Sequence, residues 1–113
     1  MKLLLNEQLK KIKLVILDVD GTLTDGGIYY DNDGHEVKKF NAKDGLGIVQ
    51  TQQTGIDFMI LTGRSSAIVE KRANDLKVKY LFQGIKDKAE FLEKFLTEQK
   101  IPNDTVAYVG DDL

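Results

Sequence analysis

The chain contains no cysteine. That excludes disulfides, thiolate metal sites and a cysteine nucleophile, and suits a cytoplasmic protein. Pro102 is the single proline; the stretch Lys100-Ile101-Pro102-Asn103-Asp104 around it reads as a helix-to-strand turn. Histidine also occurs once, at His35 beside a turn, where a surface position is expected. Long apolar runs are missing. The start, Met1-Lys2-Leu3-Leu4-Leu5-Asn6-Glu7, turns polar too soon for a signal peptide, and no stretch approaches the ~20 residues of a membrane span. Neither sign of charge dominates: 16 basic residues face 18 acidic ones, for a formal net charge of −2. This gives no electrostatic footprint for nucleic acid or an anionic membrane, although local cations can still hold a small phosphorylated molecule. With no repeat, low-complexity tract or linker, the 113 residues read as one domain, 1–113.

What is present is an alternation. Apolar runs at Leu14–Leu17, Phe58–Leu61, Tyr80–Phe82 and Val106–Val109 predict strands. Helices are predicted between them. They cover Gly45–Thr54, then Ser65–Leu76 with a serine cap and apolar Ile68, Val69, Ala73 and Leu76, then Lys88–Gln99 with Ala89, Leu92, Phe95 and Leu96 on one face. Strands alternating with helices imply a parallel sheet with right-handed crossovers. One segment departs from that rhythm. Gly27 to Tyr30, the turn Asp31-Asn32-Asp33-Gly34, and His35 to Phe40 read as a hairpin inserted after the first strand, where it would flank the sheet's carboxyl edge.

Three of these strands run into polar, reactive residues: Asp18-Val19-Asp20-Gly21-Thr22, Thr62-Gly63-Arg64 and Gly110-Asp111-Asp112. In an open parallel sheet ligands sit beyond the carboxyl ends of the strands, so these groups converge despite their separation in sequence. Carboxylates without histidine or cysteine make a hard, oxygen-only site suited to Mg²⁺. A bare carboxylate would repel a phosphate by about 4 kcal/mol per unit charge pair at ~4 Å near a protein surface, and a cation between them reverses that sign. An aspartate can then attack phosphorus while a second carboxyl serves as acid and base. Thr62, with backbone N–H groups such as that of Gly63, can hold phosphoryl oxygens, and Lys88 at the next helix start can neutralise charge.

Asp18-Val19-Asp20-Gly21-Thr22 after an apolar strand resembles the first signature of the haloacid dehalogenase superfamily. Its four fixed positions would arise by chance about once in 10⁵ sites at ordinary residue usage. The resemblance implies a Rossmann-like, three-layer α/β fold, with the hairpin over about residues 27–40 as a flap. It implies Asp18 as nucleophile and metal ligand, and Asp20 as acid/base and main-chain ligand. Asp111 becomes the third ligand to Mg²⁺, with Thr62 and Lys88 in the second and third motifs. Spacing favours Lys88 over Lys86.

The hairpin, the run Lys39 to Ile48, Leu61-Thr62-Gly63-Arg64, Tyr80 to Gly84 and Tyr108 to Leu113 further resemble the 3-deoxy-D-manno-octulosonate 8-phosphate phosphatases. That narrower resemblance implies substrate contacts from Asn41, Ala42, Lys43, Asp44 and Gly45, with Arg64 and Arg72, and Asp20 and Lys88 at the same site. It also implies a homotetramer without a separate cap domain, acting in lipopolysaccharide sugar synthesis. The 2-keto-3-deoxynononate 9-phosphate phosphatases are similar, but a glutamate tends to follow their threonine-glycine pair, where Arg64 stands here. Such families continue beyond the position of Leu113, so a C-terminal truncation of the 113-residue chain is expected.

Plainer readings stand beside each of these. Asp18, Asp20, Asp111 and Asp112 are also turn formers, and Thr62 a helix cap. Lys88, Arg64 and Arg72 also fit ordinary solvated or paired side chains. Asp31 to Gly34 lacks the spacing and terminal Glu of an EF-hand and fits a hairpin turn. Tyr29 and Tyr30 fit packing of the hairpin or a subunit contact. A signalling receiver, with its phosphorylated aspartate, and a non-catalytic assembly module are the readings from other classes.

Overall fold

The structure is a computed structural model that describes residues 11–19, 23–24, 29–30, 32–33, 36–37, 40 and 42–110. Its main sheet contains four parallel strands: β1 (Leu14–Leu17), β4 (Asp57–Leu61), β5 (Tyr80–Phe82) and β6 (Val106–Val109), in the order β5-β4-β1-β6. A small antiparallel pair, β2 (Tyr29–Tyr30) and β3 (Glu36–Val37), lies between β1 and α1 (Ala42–Gln52) in the chain. The other helices are α2 (Ala67–Asp75) and α3 (Lys88–Glu98), and a 3₁₀ turn at Asn103–Thr105 follows Pro102 into β6.

Strand β1 is buried on both faces, with Ile16 and Leu17 wholly inaccessible, which its continuous apolar run requires. The period of two still sorts its side chains into two cores. Val15 and Leu17 join Phe58, Ile60, Ile48, Val69, Ala73 and Leu76, so α1 and α2 cover one face of the sheet. Leu14 and Ile16 join Met59, Leu61 and Leu96, with Phe91, Leu92 and Phe95 of α3 packed on the other face. The result is three layers.

The order also reverses at β1. The chain steps outward from β1 through β4 to β5, then returns through α3 to the opposite side of β1. Such a reversal opens a crevice beyond the strand ends, and Asp18 stands at it.

Boundaries depart from the expected ones in two instructive places. Helix α1 begins at Ala42 rather than Gly45, so Ala42 to Gly45 form its first turn. In α3, Ala89 faces solvent, and Phe91 instead packs with Leu92, Phe95 and Leu96. Rings decide this: Phe91 lies 4.8 Å from Phe82, and Phe95 stands edge-on to Tyr80 at 5.2 Å. An alanine has little surface to compete with them. The caps are side-chain made. Ser66 accepts from the Ile68 N–H and Asp87 from the Glu90 N–H, each satisfying a first-turn donor.

The base of the hairpin is anchored to the end of β1. Thr24 bridges to Phe40, and the N–H groups of Leu23 and Thr24 both reach the Val19 carbonyl, at 2.9 and 3.1 Å. Asn32 and Asp33 form its exposed turn, while His35 lies outside the described residues. No helix among the described residues is long and apolar enough to cross a membrane.

Candidate active site

The carboxyl edge of the sheet gathers four chain segments. Asp18 follows β1, Thr62 follows β4, Gln83 follows β5 and Gly110 follows β6; the parallel register aligns Leu17 with both Ile60 and Val109, and Leu61 with Phe82. The Asp18 N–H continues the β1–β6 ladder onto Val109 O at 3.1 Å, and the Thr62 N–H does the same onto Phe82 O at 3.0 Å. Both residues are therefore fixed by strand pairing up to the point where their side chains leave the sheet.

The Asp18 carboxylate is held at one oxygen and exposed to charge at the other. Its Oδ1 accepts the N–H of Val19 at 2.8 Å, and its Oδ2 lies 3.8 Å from Lys88 Nζ. Both side chains are only 16% exposed, so this pair feels weaker solvent screening than a surface ion pair. Lys88 is the first residue of α3, immediately after the Asp87 cap, and the aromatic packing of that helix sets where its amine stands.

Thr62 is 5% exposed, and its Oγ1 receives the Arg64 N–H at a long 3.4 Å. The loop after it is stitched to the loop after β5: Ile85 N–H to Thr62 O at 3.1 Å and Gly84 N–H to Arg64 O at 3.4 Å. Gly63 lies against this second loop, since a β-carbon there would sit 3.4 Å from Ile85 O.

Of the expected ligands, Asp18 lies directly after β1 at the carboxyl edge of the sheet, while Asp20 and Asp111 lie outside the described residues. Among the described residues no three carboxylates or histidines gather in one place. Gly110, immediately before Asp111, packs closely on Asp18: a β-carbon at Gly110 would approach Asp18 Cβ to 2.8 Å. Sequence reasoning treated Gly110 only as part of a motif, and its signal was its place at the end of an apolar strand.

Of the expected substrate contacts, the structure brings Gly45 and Arg72 together. Gly45 in α1 is buried, and its α-carbon faces Arg72 of α2, whose guanidinium stacks 5.5 Å from the Phe40 ring centroid. Phe40 was missed by sequence reasoning. It ties Arg72 to the hairpin base and so, through Thr24 and Val19, to the end of β1. Ala42 and Lys43 are exposed, Asp44 is half-buried, Arg64 is exposed, and Asn41 lies outside the described residues.

The strand order and the edge at which Asp18, Thr62 and Lys88 meet define an α/β fold of the haloacid dehalogenase type. Searched against family models, the chain matches none. Individual proteins are more informative. The 3-deoxy-D-manno-octulosonate 8-phosphate phosphatase KdsC of Yersinia pestis is 44% identical over 102 residues, which are 90% of this chain and 54% of that protein. Its counterpart in Escherichia coli K12 is 44% identical over 104 residues, 92% of this chain and 55% of that protein. A crystal structure of the phosphatase of this name from Moraxella catarrhalis, in complex with magnesium, phosphate and KDO, is 43% identical. It superposes with a TM-score of 0.87 over 94% of this chain and 61% of its own. By sequence and fold the chain is a homologue of haloacid dehalogenase superfamily phosphatases of this type. It spans about half the length of the curated relatives it matches.

Proposed function

We propose that the protein is a Mg²⁺-dependent phosphomonoesterase that hydrolyses 3-deoxy-D-manno-octulosonate 8-phosphate through a phosphorylated Asp18. The observation that carries this reading is the pairing of Asp18 with Lys88 beside buried Thr62, on a chain 44% identical to phosphatases of that name.

The chemistry of the donors fits the ion. Asp18 Oδ2 faces the Lys88 amine at the carboxyl edge of the sheet, and Asp20 and Asp111 would complete an oxygen-only set with no softer ligand nearby in sequence. When bound, Mg²⁺ supplies the positive charge that lets carboxylate and phosphate approach each other.

The side chains divide the rest. Asp18 Oδ1 is engaged by the Val19 N–H, which orients Oδ2 for attack on phosphorus. Asp20 donates a proton to the departing sugar oxygen and later takes one from the water that cleaves the aspartyl-phosphate. Thr62 and the Gly63 N–H hold phosphoryl oxygens, and Lys88 balances their charge in a partly desolvated position. Ala42 to Gly45 with Asn41, Arg64 and Arg72 would face the sugar acid, whose carboxylate suits a guanidinium. Assembly as a homotetramer in the cytoplasm belongs to the same reading, and Leu46, 58% exposed on α1, is an apolar residue such a contact would cover.

The receiver reading loses support from topology. Receivers of the 2-1-3-4-5 order place the third strand beside the first. Here the neighbours of β1 are β4 and β6, the second and fourth strands of the main sheet.

Phosphate release by the full-length protein tests the proposal. Asp18→Asn should lower it by at least roughly 10³-fold while leaving the melting curve in place. Retained turnover in that variant would end the nucleophile assignment. A panel of eight-carbon and nine-carbon sugar-acid phosphates tests specificity separately, and equal or better use of the 2-keto-3-deoxynononate 9-phosphate would replace the substrate and keep the mechanism.

A further inference from the structure

Gln83 has two hydrogen bonds to one residue. Its Oε1 accepts the N–H of Ser66 at 2.9 Å, and its Nε2 donates to the C=O of Ser66 at 3.2 Å. The backbone nitrogen of Ser66 can only donate and its carbonyl oxygen can only accept, so the orientation of the amide is forced. A carboxamide is the one side-chain group that matches both at once.

Ser66 is not an incidental partner. It is extended, at φ −153° and ψ 130°, and caps α2 by accepting the Ile68 N–H at 3.2 Å. Gln83 in turn begins the loop that leads from β5 to Lys88. The clamp therefore joins the far end of the Thr62 loop to the near end of the Lys88 loop. The two loops are also tied by Ile85 to Thr62 and by Gly84 to Arg64. Gly84 adopts φ +71°, a conformation glycine accepts readily, and a β-carbon there would sit 3.1 Å from Ser65 Oγ. Both loops thus form one unit, with the buried threonine and the lysine at its two ends.

We infer that Gln83 is a positioning residue: by clamping Ser66 it fixes Thr62 relative to Lys88, and so the cradle for the phosphoryl group. This rests on the phosphatase reading above, but the clamp itself does not. The Asp18–Lys88 separation of 3.8 Å is already at the limit of ionic contact, so a modest shift of the loop would break it. Both of these side-chain hydrogen bonds of Gln83 go to the Ser66 backbone, so its effect on the site would be transmitted through backbone.

Two variants of the full-length protein separate the possibilities. Gln83→Met keeps the length of the side chain and removes both hydrogen bonds. Gln83→Glu keeps the acceptor for the Ser66 N–H and sets a carboxylate oxygen against the Ser66 carbonyl. Amide hydrogen exchange at Ser66, read by NMR, reports the clamp without any turnover. Exchange should accelerate at least about 10-fold in Gln83→Met and less in Gln83→Glu. With 3-deoxy-D-manno-octulosonate 8-phosphate and Mg²⁺, kcat should fall roughly 10-fold in Gln83→Met with KM within about 2-fold, and by a smaller factor in Gln83→Glu. Unaltered Ser66 exchange would overturn the clamp. Accelerated exchange with unaltered kcat would overturn its positioning role, as would a fall in kcat matched by the unfolded fraction. Inactivity of the unmutated protein would instead overturn the phosphatase reading and, with it, the catalytic half of this inference.

Discussion

A β-carbon at Gly110 would stand 2.8 Å from Asp18 Cβ and 3.1 Å from Tyr108 Cε1. Asp18 Cβ cannot swing aside as the tip of a long side chain can, because it is attached to backbone locked into the ladder at Val109. Something in the strand ends must move, at a cost of about 1–3 kcal/mol for such overpacking. What moves is the residue proposed to attack phosphorus. We therefore expect Gly110→Ala to reduce kcat about 10²-fold, the scale of a ~1 Å misplacement, with a smaller effect on KM. Steady-state kinetics alongside a melting curve checks this; wild-type kcat in a folded variant would show that the strand ends tolerate the shift. The glycine is thus required by proximity, where its sequence context alone showed only membership of a motif.

Among the elements, helix ends offer a stability prediction independent of activity. Lys77 follows α2 with φ 55°, and Lys100 follows α3 with φ 57°. Both sit in the left-handed region after the cap, a position that glycine usually fills because a side chain there costs about 1–2 kcal/mol. The geometry is imposed by the closing hydrogen bonds, Val78 N–H to Ala73 O at 3.0 Å and Ile101 N–H to Leu96 O at 2.9 Å. Lys77→Gly and Lys100→Gly should each stabilise the fold by up to about 1 kcal/mol, the larger freedom of glycine in the unfolded chain offsetting part of the gain. Urea unfolding measures it, and a loss of stability in both would contradict the strain argument. These ends also mark how far the sequence could be read. Strands β1 and β6 were readable to the residue because their apolar runs are bounded by Asp18 and Gly110. The start of α1 was not, since Asn41 to Asp44 carry no apolar periodicity. The packed face of α3 was misassigned at Ala89 because aromatic contacts made across to β5 outweigh local spacing. At the edge, Asp18, Thr62 and Lys88 could be named from motifs and strand ends. Gln83, Phe40 and Gly110 acquire meaning only from partners distant in sequence.

At the scale of the molecule, the sheet separates two layers that bring different parts of the proposed site. Helix α3 lies on one face and carries Lys88; α1 and α2 lie on the other and carry Ala42 to Gly45 and Arg72. A cavity made in one layer should therefore disturb a different kinetic constant from a cavity made in the other. Ile48 is wholly buried between α1 and the sheet, and Leu96, 8% exposed, anchors α3. Either truncated to alanine should lose roughly 2–5 kcal/mol of stability, with Ile48 nearer the upper figure because no solvent can relax its cavity. Per folded molecule, Leu96→Ala should act mainly on kcat, by several-fold, through the lysine that balances phosphoryl charge. Ile48→Ala should act mainly on KM, through the first turn of α1 and its Arg72 neighbour. Urea unfolding followed by kinetics at concentrations corrected for the folded fraction distinguishes the two. If both variants lowered the same constant to the same degree, the layers would not be dividing catalysis from substrate binding. The phosphoryl cradle and the sugar-acid contacts would then have to be treated as one mechanical unit joined through β1.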